Sequence, residues 1–199
     1  MKDKSNKPIK TMQMKLKFLI FVAILISGIN LCYSQKYFTK TGKAYFMSHT
    51  DEIDIDGTSK SVVSFLDTKT GEMVFGVNIK TFEFTLATAV EHFNETYMES
   101  HIYPKASFKG KVKDFQKIDF SKPGKYDVVV EGDLTIHGVT KKVSEKGTLV
   151  IKDKKIIASS NFKVAIADYN IKVPKIVVNR VAQIIDVKID AEYEPYTGN

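Results

Sequence analysis

From residue 35 onward the chain is built on a two-residue alternation of apolar and polar side chains, the pattern of strands with one buried face. Near the end, Ile185, Val187, Ile189, Ala191 and Tyr193 fall on one face and Asp186, Lys188, Asp190 and Glu192 on the other. Phe162, Val164 and Ile166 repeat this around Lys163, and Tyr126, Val128, Val130, Gly132, Leu134 and Ile136 form a longer face. Ala106, Phe108, Gly110 and Val112 alternate with Ser107, Lys109 and Lys111. Between Met73 and Leu86 the phase slips. Met73, Phe75, Val77 and Ile79 are odd-numbered, whereas Phe82, Phe84 and Leu86 are even. One extra residue near Lys80-Thr81 restores a common face, which predicts a β-bulge and a curved sheet.

Turn residues at Asp67–Gly71, Ser121–Gly124 and Lys152–Lys155 divide the runs. Eight strands are expected, at Gly42–His49, Ser61–Leu66, Glu72–Phe84, Lys105–Phe115, Lys125–Ile136, Lys141–Ile151, Lys155–Ala167 and Ala182–Tyr193. Long strands with short turns point to an all-β, antiparallel meander. Eight strands also suffice to close it into a barrel. One stretch departs from this. Leu86, Val90, Phe93 and Tyr97 recur at helical spacing, and Thr88 to Glu91 has the form of a capping box, so one short helix of about three turns is expected.

The first 34 residues have a different build. Six lysines with one opposing acid precede the apolar run Phe18–Ile29, and Cys32-Tyr33-Ser34 then offers small residues before a cut at Gln35. This is the form of a secretory signal peptide, so residues 1–34 are read as a leader and 35–199 as one domain. The run is too short for a membrane helix, which takes about 20 apolar residues. Met14 is an alternative initiator, and lipidation at Cys32 an alternative processing route. With the leader removed, the net charge falls from +7 to +2 and the single cysteine is lost. No nucleic-acid partner, thiol chemistry or disulfide is expected for what remains. The expected location is periplasmic or secreted.

Motifs of chemistry are sparse. None of His49, His92, His101 and His137 belongs to a HExxH or His-x-His pattern, so neither metal nor catalytic residues are expected. Glu91, Glu95 and Glu99 read as a solvated helix face. Thirteen Phe and nine Tyr stand out instead. If the sheet closes, its inward side chains either pack a solid core or line an apolar channel, and alternation alone serves both.

Two segments narrow the choice. His92–Ser100 followed by Ile102–Gly110, and Gly132–Lys141 with its run Leu134-Thr135-Ile136-His137-Gly138-Val139-Thr140, resemble the signature stretches of the YceI-like, polyisoprenoid-binding family. Phe162 to Val164, Asp168, Tyr169, Ile171 and Pro174 fit as well, and the likeness runs from about Tyr37 to Tyr193. It implies an eight-stranded, lipocalin-like antiparallel barrel with a hydrophobic tunnel, in an exported protein that holds a long isoprenoid chain. It carries no catalytic residues. His137 matches the motif's histidine and reads first as turn structure, with a headgroup contact as the alternative.

The lipid-binding residues are then expected on each inward face. They are Phe75, Val77, Ile79, Phe82 and Phe84 on the third strand, and Phe93 and Tyr97 on the helix. Phe108, Tyr126, Val128, Leu134 and Ile136 follow on the fourth and fifth strands. Phe162, Val164, Ile166, Ile185, Val187 and Ile189 complete the set on the last two. No cofactor is expected beyond a bound isoprenoid or fatty lipid, and a homodimer is left open. The competing readings are an enzyme acting on a small apolar substrate through His137 or a helix carboxylate, and an envelope interaction protein with a filled core.

Overall fold

The computed structural model describes residues 36–197. The leader, the cut before Gln35 and the fate of Cys32 lie outside the described residues. The strands are β1 (Lys36–His49), β2 (Asp54–Asp67), β3 (Glu72–Asn78), β4 (Glu83–Phe84), β5 (Lys105–Val112), β6 (Gly124–Ile136), β7 (Val139–Lys152), β8 (Lys155–Ala165) and β9 (Ile184–Pro195). Their order in the sheet is β1-β9-β8-β7-β6-β5-β3-β2, and β2 pairs back onto β1, so eight long antiparallel strands close a barrel. The two-residue β4 is a stub on the lower-numbered half of β2, pairing Gly57 with Phe84.

The slip between Met73 and Leu86 has a different cause from the expected bulge. The strand stops, and Ile79–Thr81 makes a single 3-10 turn. Asn78 Oδ1 accepts from the Lys80 N–H at 3.0 Å, and the Thr81 hydroxyl donates to the Asn78 carbonyl at 2.6 Å. Ser59, fully buried on β2, then donates to Thr81 Oγ1 at 2.7 Å. A 3-10 turn rotates the side-chain direction as a bulge would, while turning the chain across the barrel end.

The expected helix is present but wound differently. It opens over Ala89–Glu91 and widens to π-type turns over His92–Tyr97; together these are α1. The Met98 N–H reaches back five residues to the Phe93 carbonyl at 2.9 Å. The capping box does not form. Thr88 already has helical dihedrals and its side chain bonds no backbone N–H, because the turn starts earlier with Ala89 N–H donating to the Leu86 carbonyl.

One end of the barrel is packed solid. Leu66, Val112, Leu149, Ile156 and Tyr193 are at most 1% exposed there and cluster with Tyr37, Met73 and Ile151. The loop between β5 and β6 lays Phe115, Ile118 and Phe120 against this cluster. Burial of each such aliphatic side chain stabilises by about 1.5–3 kcal/mol. Through the floor runs a polar thread: the Tyr193 hydroxyl donates to Ser64 Oγ at 2.7 Å, and Ser64 donates to the Val74 carbonyl at 2.7 Å. Burial raises the Tyr193 phenol above its ordinary range, with the Ser64 bond opposing.

At the other end the β6–β7 hairpin turns on His137-Gly138 alone. Both residues have positive φ, +50° and +72°, as the mirror-image two-residue turns require. A side chain on Gly138 would also meet the Tyr103 ring at 2.5 Å.

Candidate functional site: a blind apolar cavity

Above the floor the barrel is hollow. A cavity of about 480 Å³ extends from Met73, Leu149 and Ala158 up to Leu86, Thr88, His92 and Arg180 at the rim. That volume lies within the roughly 300–1,000 Å³ usual for small-molecule sites.

Alternation accounts for the wall. Phe75 and Val77 of β3, Phe108 of β5, Val128, Leu134 and Ile136 of β6, and Phe162 and Val164 of β8 all line it. So do Ile185, Val187 and Ile189 of β9, Ile79 in the 3-10 turn, and Ile166 beyond β8. Phe82, Phe84, Phe93 and Tyr97 complete the part of the wall anticipated from sequence. Tyr126 stands apart. It points inward but lies at floor level, half-buried against the solid cluster, with its hydroxyl toward the Asp119 carbonyl at 3.5 Å.

The mouth is built by rings. Phe46 of β1 stacks on Phe93 of α1 with centroids 5.2 Å apart and planes 12° from parallel. Phe84 meets Phe93 edge-on at 4.9 Å, and Phe82 tilts against both Phe46 and Phe93. Each such aromatic pair adds about 0.5–1.5 kcal/mol beyond area burial. The wide turns of α1 let Phe93, Tyr97 and Met98 all face the cavity. Phe46 and Met98 were not singled out from sequence. On β1, Tyr45 and Met47 are as apolar as Ala44 and Phe46, so polarity does not mark the inner face. Bulges at Thr39/Gly42 and Gly42/Ala44 break its period as well.

Polar groups on the wall are few, and several are engaged. Ser160 Oγ donates to the Lys146 carbonyl at 2.7 Å, Ser159 to Asp190 at 2.8 Å, and Ser48 accepts from Ala182 N–H at 2.9 Å. At the rim, Arg180 Nε donates to Glu52 Oε2 at 3.2 Å. Glu145 of β7 also lines the cavity, and burial raises its carboxyl above the ordinary range.

His137 is not on the wall. It is 8% exposed, with Nδ1 3.1 Å from the Tyr169 carbonyl and Nε2 2.7 Å from Glu99 Oε2. A carbonyl only accepts, so Nδ1 carries its proton. The Tyr103 ring meets the imidazole edge-on at 4.5 Å. Glu99 is therefore no part of a solvated helix face: past the helix, at φ +42°, it ties the α1–β5 connection to the β6–β7 hairpin. Among the described residues, no three of His, Cys, Asp and Glu come together as a metal site requires.

The family model of the YceI-like domain matches residues 35–193. The chain belongs to the YceI-like family. No curated protein sequence matches it. Among solved structures it is similar to a polyisoprenoid-binding domain from Saccharophagus degradans implicated in plant cell wall breakdown, at 13% identity and TM-score 0.70, over 81% of this chain and 99% of that one. Burkholderia cenocepacia BcnA is 15% identical with TM-score 0.62, over 76% and 95%. The YceI protein of Campylobacter jejuni is 19% identical with TM-score 0.52, over 77% and 84%. At these identities the structural likeness concerns the fold. The YceI-like barrel of the present chain is thus a member with a hollow upper half and a closed floor.

Proposed function

We propose that this YceI-like protein is an exported binding protein that holds the long apolar chain of an isoprenoid or similar lipid in its barrel, for sequestration or transport. The observation that carries the reading is the blind, almost wholly apolar cavity of about 480 Å³. Support comes from the Saccharophagus degradans neighbour, whose description is of polyisoprenoid binding. Energetics favour long chains. Each buried CH₂ contributes about 0.8 kcal/mol, while association costs on the order of 4–15 kcal/mol in lost freedom. Short apolar molecules therefore gain too little, and chains of about ten carbons or more bind usefully.

The reading is of binding without chemistry. His137 is engaged by Glu99 and the Tyr169 carbonyl, away from the cavity wall. The lipid contacts assigned are the lining residues named above, with the Phe46, Phe82, Phe84 and Phe93 rings at the mouth. Tyr126 is left out of that set.

Native mass spectrometry and solvent extraction of the purified protein test the proposal. A co-purified isoprenoid or fatty lipid, or uptake of added prenyl lipid, is expected. Protein that is empty and ignores added prenyl lipids overturns it. N-terminal sequencing of the exported form is expected to begin at Gln35.

A further inference from the structure

Glu145 breaks the rule of the surface on which it stands. On β7, Val143, Glu145, Gly147 and Leu149 share the inward face, and Glu145 pairs across to Val130 of β6. An acidic side chain in that row is set against apolar neighbours, where an unpaired carboxylate is costly. Other polar wall groups nearby are spoken for: Ser160 by the Lys146 carbonyl, Ser159 by Asp190. Among the described residues Glu145 makes neither a hydrogen bond nor an ion pair, and Tyr169 is the phenol whose titration its charge raises, after burial and Asp168.

The ladder beside it is open. β7 pairs with β8 only from Gly147↔Ser160 to Lys152↔Lys155, whereas β6 and β7 pair along their whole length. Glu145 lies just beyond the last pair, where the Ser160 hydroxyl takes the place of a backbone donor on the Lys146 carbonyl. The carboxylate therefore faces the cavity at a point where β8 has drawn away from β7.

Resting on the lipid-binding reading, we infer that Glu145 receives the polar end of the ligand, and that this end donates hydrogen bonds: a hydroxyl or an ammonium rather than a carboxylate or phosphate. A donor satisfies an acceptor that has no partner among the described residues and whose carboxyl partial burial already raises above its ordinary range. An anionic headgroup meets a like charge with the Arg180 cation already drawn to Glu52.

The test is competition of dodecanol, dodecylamine and dodecanoate against the fluorescent apolar reporter N-phenyl-1-naphthylamine, on wild-type protein and Glu145→Gln. In wild type, dodecanol and dodecylamine are expected to bind about ten-fold or more tighter than dodecanoate, the scale of one charge-assisted hydrogen bond. Glu145→Gln is expected to bring amine and dodecanoate together while moving dodecanol little. Dodecyltrimethylammonium, a cation with no N–H to donate, separates charge from donation within wild type alone. Binding weaker than that of dodecylamine supports the inference; equal binding overturns it. Dodecanoate binding wild type as tightly as dodecanol and dodecylamine overturns the headgroup assignment while leaving a lipid barrel. Failure of the reporter and all probes to bind overturns both readings. The wild-type ranking stands as a test even if the variant does not fold.

Discussion

At the scale of single residues, the floor distinguishes a donor from an acceptor. Tyr193 donates to Ser64, and Ser64 in turn donates to the Val74 carbonyl. Removing the phenol leaves Ser64 still bonded, so Tyr193→Phe is expected to cost about 1 kcal/mol. Removing the serine hydroxyl strands a wholly buried phenol, so Ser64→Ala is expected to cost about 2–3 kcal/mol despite being the smaller change. Urea denaturation of both variants reads the difference. Asp119 provides a second case. Its carboxylate accepts from the Ser121 hydroxyl, Lys122 and the Ser121 N–H, which hold its pKa at about 2. A lowered folded pKa adds stability above the unfolded value, and that contribution is lost as pH falls toward about 2. A carbon-13 titration is expected to find Asp119 ionised at pH 3, and Ser121→Ala to raise its pKa.

Elements were legible in sequence wherever alternation was strong, and blurred where polar or glycine residues took inward positions. β6 and β9 begin and end within about two residues of expectation. β1 and β2 begin six or more residues earlier than Gly42 and Ser61, because Thr39 and Ser59 face inward and carry no apolar signal. The cavity wall was readable for the same reason the strands were. Phe46 was hidden among apolar neighbours, and whether the space inside was filled is a matter of three-dimensional volume that periodicity does not encode. Turn chemistry at His137-Gly138 was visible, but its bond to Glu99, 38 residues away, was not. Asparagine tolerates the same positive φ yet cannot span both partners. His137→Asn is therefore expected to keep the hairpin and lose about 1–3 kcal/mol through the broken tie, measured by thermal unfolding. Gly110 and Gly132 face each other across β5 and β6, and a methyl on Gly132 would meet the Lys109 carbonyl oxygen at 2.4 Å. Backbone cannot step aside there, so Gly132→Ala is expected to destabilise by about 3 kcal/mol or more, or to prevent folding.

For the whole molecule the division that matters is between a solid end and a hollow one. The solid end carries the continuous cluster of buried apolar side chains, and the upper part of β7 lacks a ladder toward β8. Amide exchange is expected to show this directly. Every second amide between Val139 and Lys146 exchanges fast, while amides of β7 and β8 near Leu149 and Ile156 exchange slowest. The closed floor also governs traffic. A tube open at both ends lets an arriving molecule push out the one inside; a cup does not. An occupant seated on Met73 and Leu149 has to back out before a successor can settle. Turnover of bound lipid is therefore expected to run at the resident's own departure rate, unchanged however much competitor is supplied.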